Sequence, residues 1–240
     1  MNLSVVAFYS DTLVIDTSTH YDAVFLIDVY RATSTMVVMA NRGAKLIKPV
    51  SSLNEAFLEK NIDSSILLCG ERDSIKPEGF NFGNDTAFLC KQDLSNKTCV
   101  MTTSNGTRAL RAFTKTSELF FACSILNLNT CIEMIQQSQY EDILVLCAGN
   151  WGSFSLEDYL CAAILINGIK DGINEMDDEI RLAIEVGDFY KGNPEQLKTV
   201  LKKTDHARKL KEQNKFDDVC FIVEHMNSFD CVPRLYLERN

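Results

Sequence analysis

The chain has 240 residues, of which 46% are hydrophobic and 24% charged, and a formal net charge of −9. That length buries a large core in one elaborated α/β domain or two small ones, and with no low-complexity linker between halves a single domain over residues 1–240 is expected. The acidic balance, without any basic stripe, argues against nucleic acid as a partner. No apolar run reaches the roughly 18 residues of a bilayer span, and Met1 to Ser10 has neither a basic n-region nor a cleavage signal, so a cytoplasmic protein without membrane contact is expected.

The elements alternate from Ala23 onward. A strand from Ala23 to Val29 leads into a helix over Thr33 to Arg42, with Gly43 placed to cap it. Lys45 to Val50 reads as a strand, and Ser52 with Glu55 has the capping-box spacing for a helix to about Lys60. Ile66 to Cys69 is the next strand. Glu71 to Asp85, with Pro77, Gly79 and Gly83, is a long loop of the kind that is often functional. Thr98 to Thr103 and Leu119 to Ala122 are strands, each followed by a helix, Thr107 to Lys115 and Asn127 to Gln137. Asp142 to Cys147 is the last strongly buried strand, before a glycine-flanked loop at Gly149 to Ser153 and an apolar helix from Ser155 to Lys170. Asp177 to Phe216 reads as surface helices, and Cys231 to Tyr236 as an edge strand because Pro233 removes a ladder donor.

Nine cysteines, odd in number and mostly inside apolar segments, read as buried free thiols. No pair of Cys-x-x-Cys motifs is present, and His20, His206 and His225 lack metal-ligand spacing. The chemistry instead gathers where apolar runs end: at Asp28 to Thr35, Gly70 to Arg72, Thr102 to Arg108, and Ala148-Gly149 with Ser155 to Asp158. In open α/β sheets ligands sit at the carboxyl ends of strands, so these segments are expected to form one site. Backbone N–H groups at the Thr102–Thr107 turn are suited to an oxyanion, and Arg108 supplies a forked donor. Asp28 ends an apolar run and needs a cation, an arginine or a proton; Arg31 and magnesium are the two candidate cations. Adjacent helical residues do not share a face, so either Glu157 or Asp158 is expected to be a cap unless the helix begins there. P-loop, dinucleotide, Cys-x5-Arg and double-aspartate phosphatase signatures are all absent.

In order along the chain, these motifs resemble the 2-phosphosulfolactate phosphatase (ComB-like) family. The likeness is carried by Ile27 to Thr35, Asn41 to Ala44, Gly70 to Arg72, Gly79 to Asn84, Thr102 to Leu110, Ala148-Gly149, Phe154 to Asp158 and Asp230 to Pro233. Departures are Tyr30 where the family usually has leucine, Ser104 for threonine, Asn81 for aspartate and Asp85 for serine. The resemblance implies a three-layer α/β/α fold with a mostly parallel or mixed sheet. It also implies magnesium-dependent hydrolysis of 2-phosphosulfolactate, a small anionic phosphate ester of a 2-hydroxy acid, to 3-sulfolactate and phosphate, and it leaves a homodimer open. A phosphatase of another 2-phospho-hydroxy acid and a non-catalytic binder of organic anions are the alternatives. The residues expected to act on substrate are Asp28, Arg31, Glu71 and Arg72, with Ser34, Thr103, Ser104, Asn105, Gly106, Thr107, Arg108, Asn84 and Gly149 binding it. Asp28, Glu157 and Asp158 are expected to hold the metal, with Glu71 as an alternative partner of Asp28, and the attacking group is left open between a water and Asp28 itself. Arg31, Arg72 and Arg108 are expected to meet the substrate's several anionic groups as one electropositive cup.

Overall fold

A computed structural model describes residues 1–16 and 18–237. Its centre is an eight-stranded sheet in the order β1-β7-β2-β6-β8-β3-β5-β4. The strands are β1 (Asn2–Val6), β2 (Ala23–Ile27), β3 (Leu46–Pro49), β4 (Leu67–Gly70), β5 (Thr98–Thr102), β6 (Phe120–Cys123), β7 (Asp142–Cys147) and β8 (Arg234–Leu235). Every residue of β2 is buried, which is why its sequence is an unbroken apolar run: it is covered on both faces and paired on both edges, Leu26 lying between Leu146 of β7 and Ala122 of β6. All strand pairs are parallel except β6 with β8, and there the sheet becomes mixed.

Helices α1 (Ala32–Asn41), α2 (Leu53–Ile62), α3 (Thr86–Leu89), α4 (Gly106–Ala112), α5 (Leu128–Gln137), α6 (Leu156–Ile169), α7 (Asp178–Gly192), α8 (Pro194–Leu201), α9 (Asp205–Glu212) and α10 (Phe216–Glu224) complete the three-layer α/β/α arrangement. The α6 helix packs on α5, α7 and β7, while α1 packs on α3, β3 and β6. Capping follows the sequence: the Ser52 hydroxyl accepts from Glu55 N at 3.1 Å, although Glu55 returns its bond to Ser51 N, one residue earlier than the capping box requires. All nine cysteines are free and most are buried, as read. No helix among the described residues is long and apolar enough to cross a membrane.

Three elements escaped the sequence reading: β1, whose half-buried residues carry a weak pattern, the four-residue α3, and α10, which begins where the expected surface helices end. A fourth was misplaced. The C-terminal strand expected at an edge inserts between β6 and β3, with Ala122 N–H donating to the Pro233 carbonyl and Tyr236 N–H to the Ile47 carbonyl. Pro233 is tolerated because the ladder there uses its carbonyl, not the missing N–H.

Leu235, 2% exposed, is therefore a core residue. Leu235→Ala is expected to lower stability by about 2–4 kcal/mol, seen as a drop in the urea midpoint at unchanged slope. A change below about 0.5 kcal/mol, the size usual for a surface residue, would contradict the interior placement.

Candidate active site

The turn after β2 is built around Asp28, which is 6% exposed. Buried backbone groups must be paired, and the hydroxyls clustered here do that work. Thr33 Oγ1 accepts from Asp28 N at 3.1 Å and donates to Asp28 O at 3.0 Å; Ser34 Oγ donates to Val29 O at 2.8 Å and meets Ser124 Oγ at 2.7 Å; Thr35 meets Thr86. Ser34, expected to touch substrate, thus holds the turn and does not line the cavity. Asp28 Oδ1 accepts from Ala32 N at 3.3 Å. On its other side lies Gly106, where an added Cβ would come within 2.9 Å of Asp28 Oδ2, so only glycine lets the start of α4 approach the carboxylate.

Glu71, 8% exposed, ties two loops together. Its Oε2 accepts from Ser74 N at 2.6 Å within its own loop, and its Oε1 accepts from Ser104 N at 2.7 Å in the loop after β5. Asp73 and Ser74 have φ of 52° and 65°, a left-handed pair that turns the chain back between Arg72 and Ile75. Gly70, at φ 129°, brings the strand end so near Thr102 that an added Cβ would lie 1.9 Å from the Thr102 carbonyl oxygen. In the turn after β5, Thr103 and Thr107 bond reciprocally: Thr103 N donates to Thr107 Oγ1 and Thr107 N to Thr103 Oγ1. The N–H groups of Thr103, Ser104 and Thr107, expected to receive an oxyanion, are therefore already given to side-chain oxygens.

The loop after β7 is fixed by Asp158, whose two oxygens accept from Val29 N at 2.8 Å and Gly149 N at 3.2 Å. Because α6 begins at Leu156 with Ser155 as its cap, Glu157 and Asp158 both turn inward, 1% and 2% exposed, and neither is the cap. Glu157 Oε1 lies 3.2 Å from Nδ1 of His206 on α9. Asn105 Oδ1 accepts from Trp151 N, joining this loop to the one after β5.

These loops enclose a cavity of about 180 Å³. Of the expected residues, Asp28, Arg31, Glu71, Asn84, Thr103, Ser104 and Asn105 line it; Arg72, Gly106, Thr107, Arg108, Gly149, Glu157 and Asp158 do not. Tyr30, Asp73, Ser74, Asn150, Trp151, His206, Lys209 and Gln213 also line it. The last three come from the segment of α9, which in the sequence is indistinguishable from a solvated surface helix.

The expected cup of arginines is not what the fold builds. Arg31, 3% exposed, spends its Nη1 on Asp218 at 2.6 Å and Asp85 at 3.1 Å. Arg72 donates to the Glu71 carbonyl, the Ser51 carbonyl and Thr102 Oγ1; Arg108 pairs with Asp11 at 3.1 Å and lies over the rings of Tyr9 and Trp151. The wall carries three carboxylates, of Asp28, Glu71 and Asp73. Burial, with Glu71 and Glu157 adding repulsion against the pull of His206 and the Ala32 hydrogen bond, pushes Asp28 up to about 6. Burial and the carboxylates of Asp28 and Glu157 push Asp158 well above the ordinary range. Burial also opposes the charge on Glu157, but the bond and charge of His206 outweigh it and hold Glu157 below its usual value. Among the described residues no three Asp, Glu, His or Cys side chains come together as a metal-holding group, and Glu157 and Asp158, expected beside Asp28 on a metal, meet His206 and the N–H groups of Val29 and Gly149.

The sequence profile of the 2-phosphosulpholactate phosphatase family matches residues 12–237. The chain belongs to this family. It is 37% identical over 210 residues to a protein of Thermotoga maritima named "Probable 2-phosphosulfolactate phosphatase", spanning 88% of this chain and 87% of that one. Proteins of the same name from Caldanaerobacter subterraneus subsp. tengcongensis and Clostridium acetobutylicum are 35% identical over 214 residues and 31% over 188, the first covering 88% of this chain and 87% of its own, the second 78% of each.

Three departures from the 2-phosphosulfolactate phosphatase pattern acquire structural reasons. Tyr30 donates its hydroxyl to the Leu201 carbonyl at 3.1 Å and meets the His206 ring edge-on at 6.2 Å, so it anchors the chain around α9 to the Asp28 turn. Asn81 accepts from Leu68 N at 2.9 Å beside β4, and Asp85 binds Arg31.

A carboxyl whose folded-state pKa is raised above its unfolded value opposes folding once ionised: the penalty is absent below about pH 4, grows through pH 4–6 and is complete above that. Asp28→Asn, studied with a chelator present, is therefore expected to be more stable than the parent by about 3 kcal/mol at pH 8 and nearly equal to it at pH 4. Urea unfolding at both values checks this, and an asparagine variant no more stable at pH 8 would contradict it.

Proposed function

We propose that this protein is a magnesium-dependent phosphatase that hydrolyses the phosphate monoester of 2-phosphosulfolactate, releasing 3-sulfolactate and inorganic phosphate. The observation that carries this reading is the buried Asp28 carboxyl, raised to about 6 and lining a cavity formed by four post-strand loops in a chain of this family. Burying an acid where its charge is disfavoured lowers stability, and such groups cluster where chemistry needs them.

Magnesium takes hard oxygen ligands, commonly one or two carboxylates with waters and phosphate oxygens. The cavity wall offers such a set: Asp28, Glu71, and Oδ1 of Asn84, which is buried with no hydrogen-bond partner. These three residues would hold the ion. When bound it would offset the charge of the phosphoryl oxygens, a need made plain by a wall with three carboxylates and an arginine already paired twice.

The protein's own groups divide the remaining tasks. Asp28 either takes a proton from an attacking water or attacks phosphorus itself; near its raised pKa both protonation states are accessible. His206, held at Nδ1 by Glu157, offers its second ring nitrogen to protonate the departing alkoxide. Trp151, 57% exposed, stands at the rim of the cavity.

Phosphate release from 2-phosphosulfolactate is expected with magnesium and not with EDTA, and Asp28→Asn is expected to lower kcat by at least about a hundredfold. Oxygen-18 water separates the two routes, since label entering Asp28 over many turnovers marks attack by the carboxylate. Absence of turnover in magnesium would overturn the proposal.

A further inference from the structure

The ester proposed above carries a carboxylate and a sulfonate beside its phosphate, and this inference rests on that reading. Each such group needs its own cation or donor set on the wall. The arginines are spent elsewhere: Arg31 on Asp218 and Asp85, Arg72 on backbone carbonyls and Thr102, Arg108 on Asp11. Lys209 on α9 differs from them. It lines the cavity, and among the described residues its side chain has no acid or hydrogen-bond partner.

The position of Lys209 is set by construction. His206 and Lys209 on α9 and Gln213, its C-cap, recur at three and four residues, so they share one face, and all three line the cavity. Ala207 and Leu210, on the adjoining flank of the helix, are buried. Both ends of this segment are fixed to the loops of the site: His206 to Glu157 and against Tyr30 at one end, Lys215 to the Ser74 carbonyl at the other. These contacts anchor α9, and with it the Cα of Lys209, beside the Asp28 turn.

We propose that Lys209 is the specificity residue of this site, its ammonium pairing with an anionic group of the substrate other than the phosphate. The α9 face thereby selects phosphate esters that carry a second anion over simple alkyl phosphates. Lysine suits this task because a point charge accepts either the flat carboxylate or the tetrahedral sulfonate.

The test compares kcat/KM for 2-phosphosulfolactate, phosphoglycolate, 2-sulfoethyl phosphate and ethyl phosphate in the parent and in Lys209→Met, Lys209→Arg and Lys211→Met. The Lys211 side chain stacks on Phe216 instead of lining the cavity, so its variant serves as the control. Lys209→Met is expected to lower the preference for 2-phosphosulfolactate over ethyl phosphate about tenfold or more, chiefly through KM, with Lys209→Arg restoring most of it. Loss on phosphoglycolate marks the carboxylate as the partner, and loss on 2-sulfoethyl phosphate marks the sulfonate. An unchanged preference in Lys209→Met overturns the inference while leaving the phosphatase reading intact. Titration of 3-sulfolactate into parent and variant covers the converse: binding that depends on Lys209 without turnover of any ester sinks only the phosphatase reading. Binding of equal strength in both, or in neither, sinks the role of Lys209.

Discussion

The constraint on which this structure turns is the burial of four carboxyl groups, those of Asp28, Glu71, Glu157 and Asp158, around the ends of β2, β4 and β7, each less than a tenth exposed. Acids withdrawn from water together repel one another and lose hydration, so each has to be answered by donors or a cation. Asp158 is answered by two backbone N–H groups, Glu71 by two serine residues and Glu157 by His206. Those bonds are also what hold four loops and α9 in one place. Asp28 has the weakest answer, a single 3.3 Å bond from Ala32, and it faces the cavity. Of the two that line the cavity, Asp28 and Glu71, it is Asp28 that has the less local compensation.

A second buried charge supports the first. Arg31 lies three residues beyond Asp28 yet pairs with Asp218 and Asp85, drawing α10 and the long loop after β4 towards the turn. Burial pushes Asp218 up against the pull of Arg31, so the pair is a compromise between desolvation and attraction. Its effect is to fix position, and it removes the arginine from the pool of cations able to meet an anion. The same logic explains why a chain rich in post-strand arginines ends with a cavity whose unpaired cation is a lysine from a distant helix.

Much of the site was legible before any coordinates. The apolar runs ending at Asp28, at Gly70 and at Cys147 identify strands buried on both faces, and a polar residue at such an end has few structural excuses. The hydroxyls also carry structural work that their positions in the sequence do not announce: Thr33, Ser34, Thr103 and Thr107 satisfy buried backbone and each other, and of these Thr103 lines the cavity as well. A hydroxyl at a helix start looks the same in sequence whether it faces a ligand or the chain. His206 and Lys209 could not be found, since their spacing within α9 marks a face and nothing in it says what that face meets.

By itself the sequence determined the alternation of strands and helices, the loops that carry the chemistry and the placing of Asp28 at a buried strand end, because these follow from local periodicity and the cost of burying charge. Tertiary structure alone decided that β8 lies inside the sheet, that Glu157 and Asp158 both turn inward, and which cations are already paired. Each of those depends on contacts between residues far apart in the chain, and no local pattern encodes the partner across the gap.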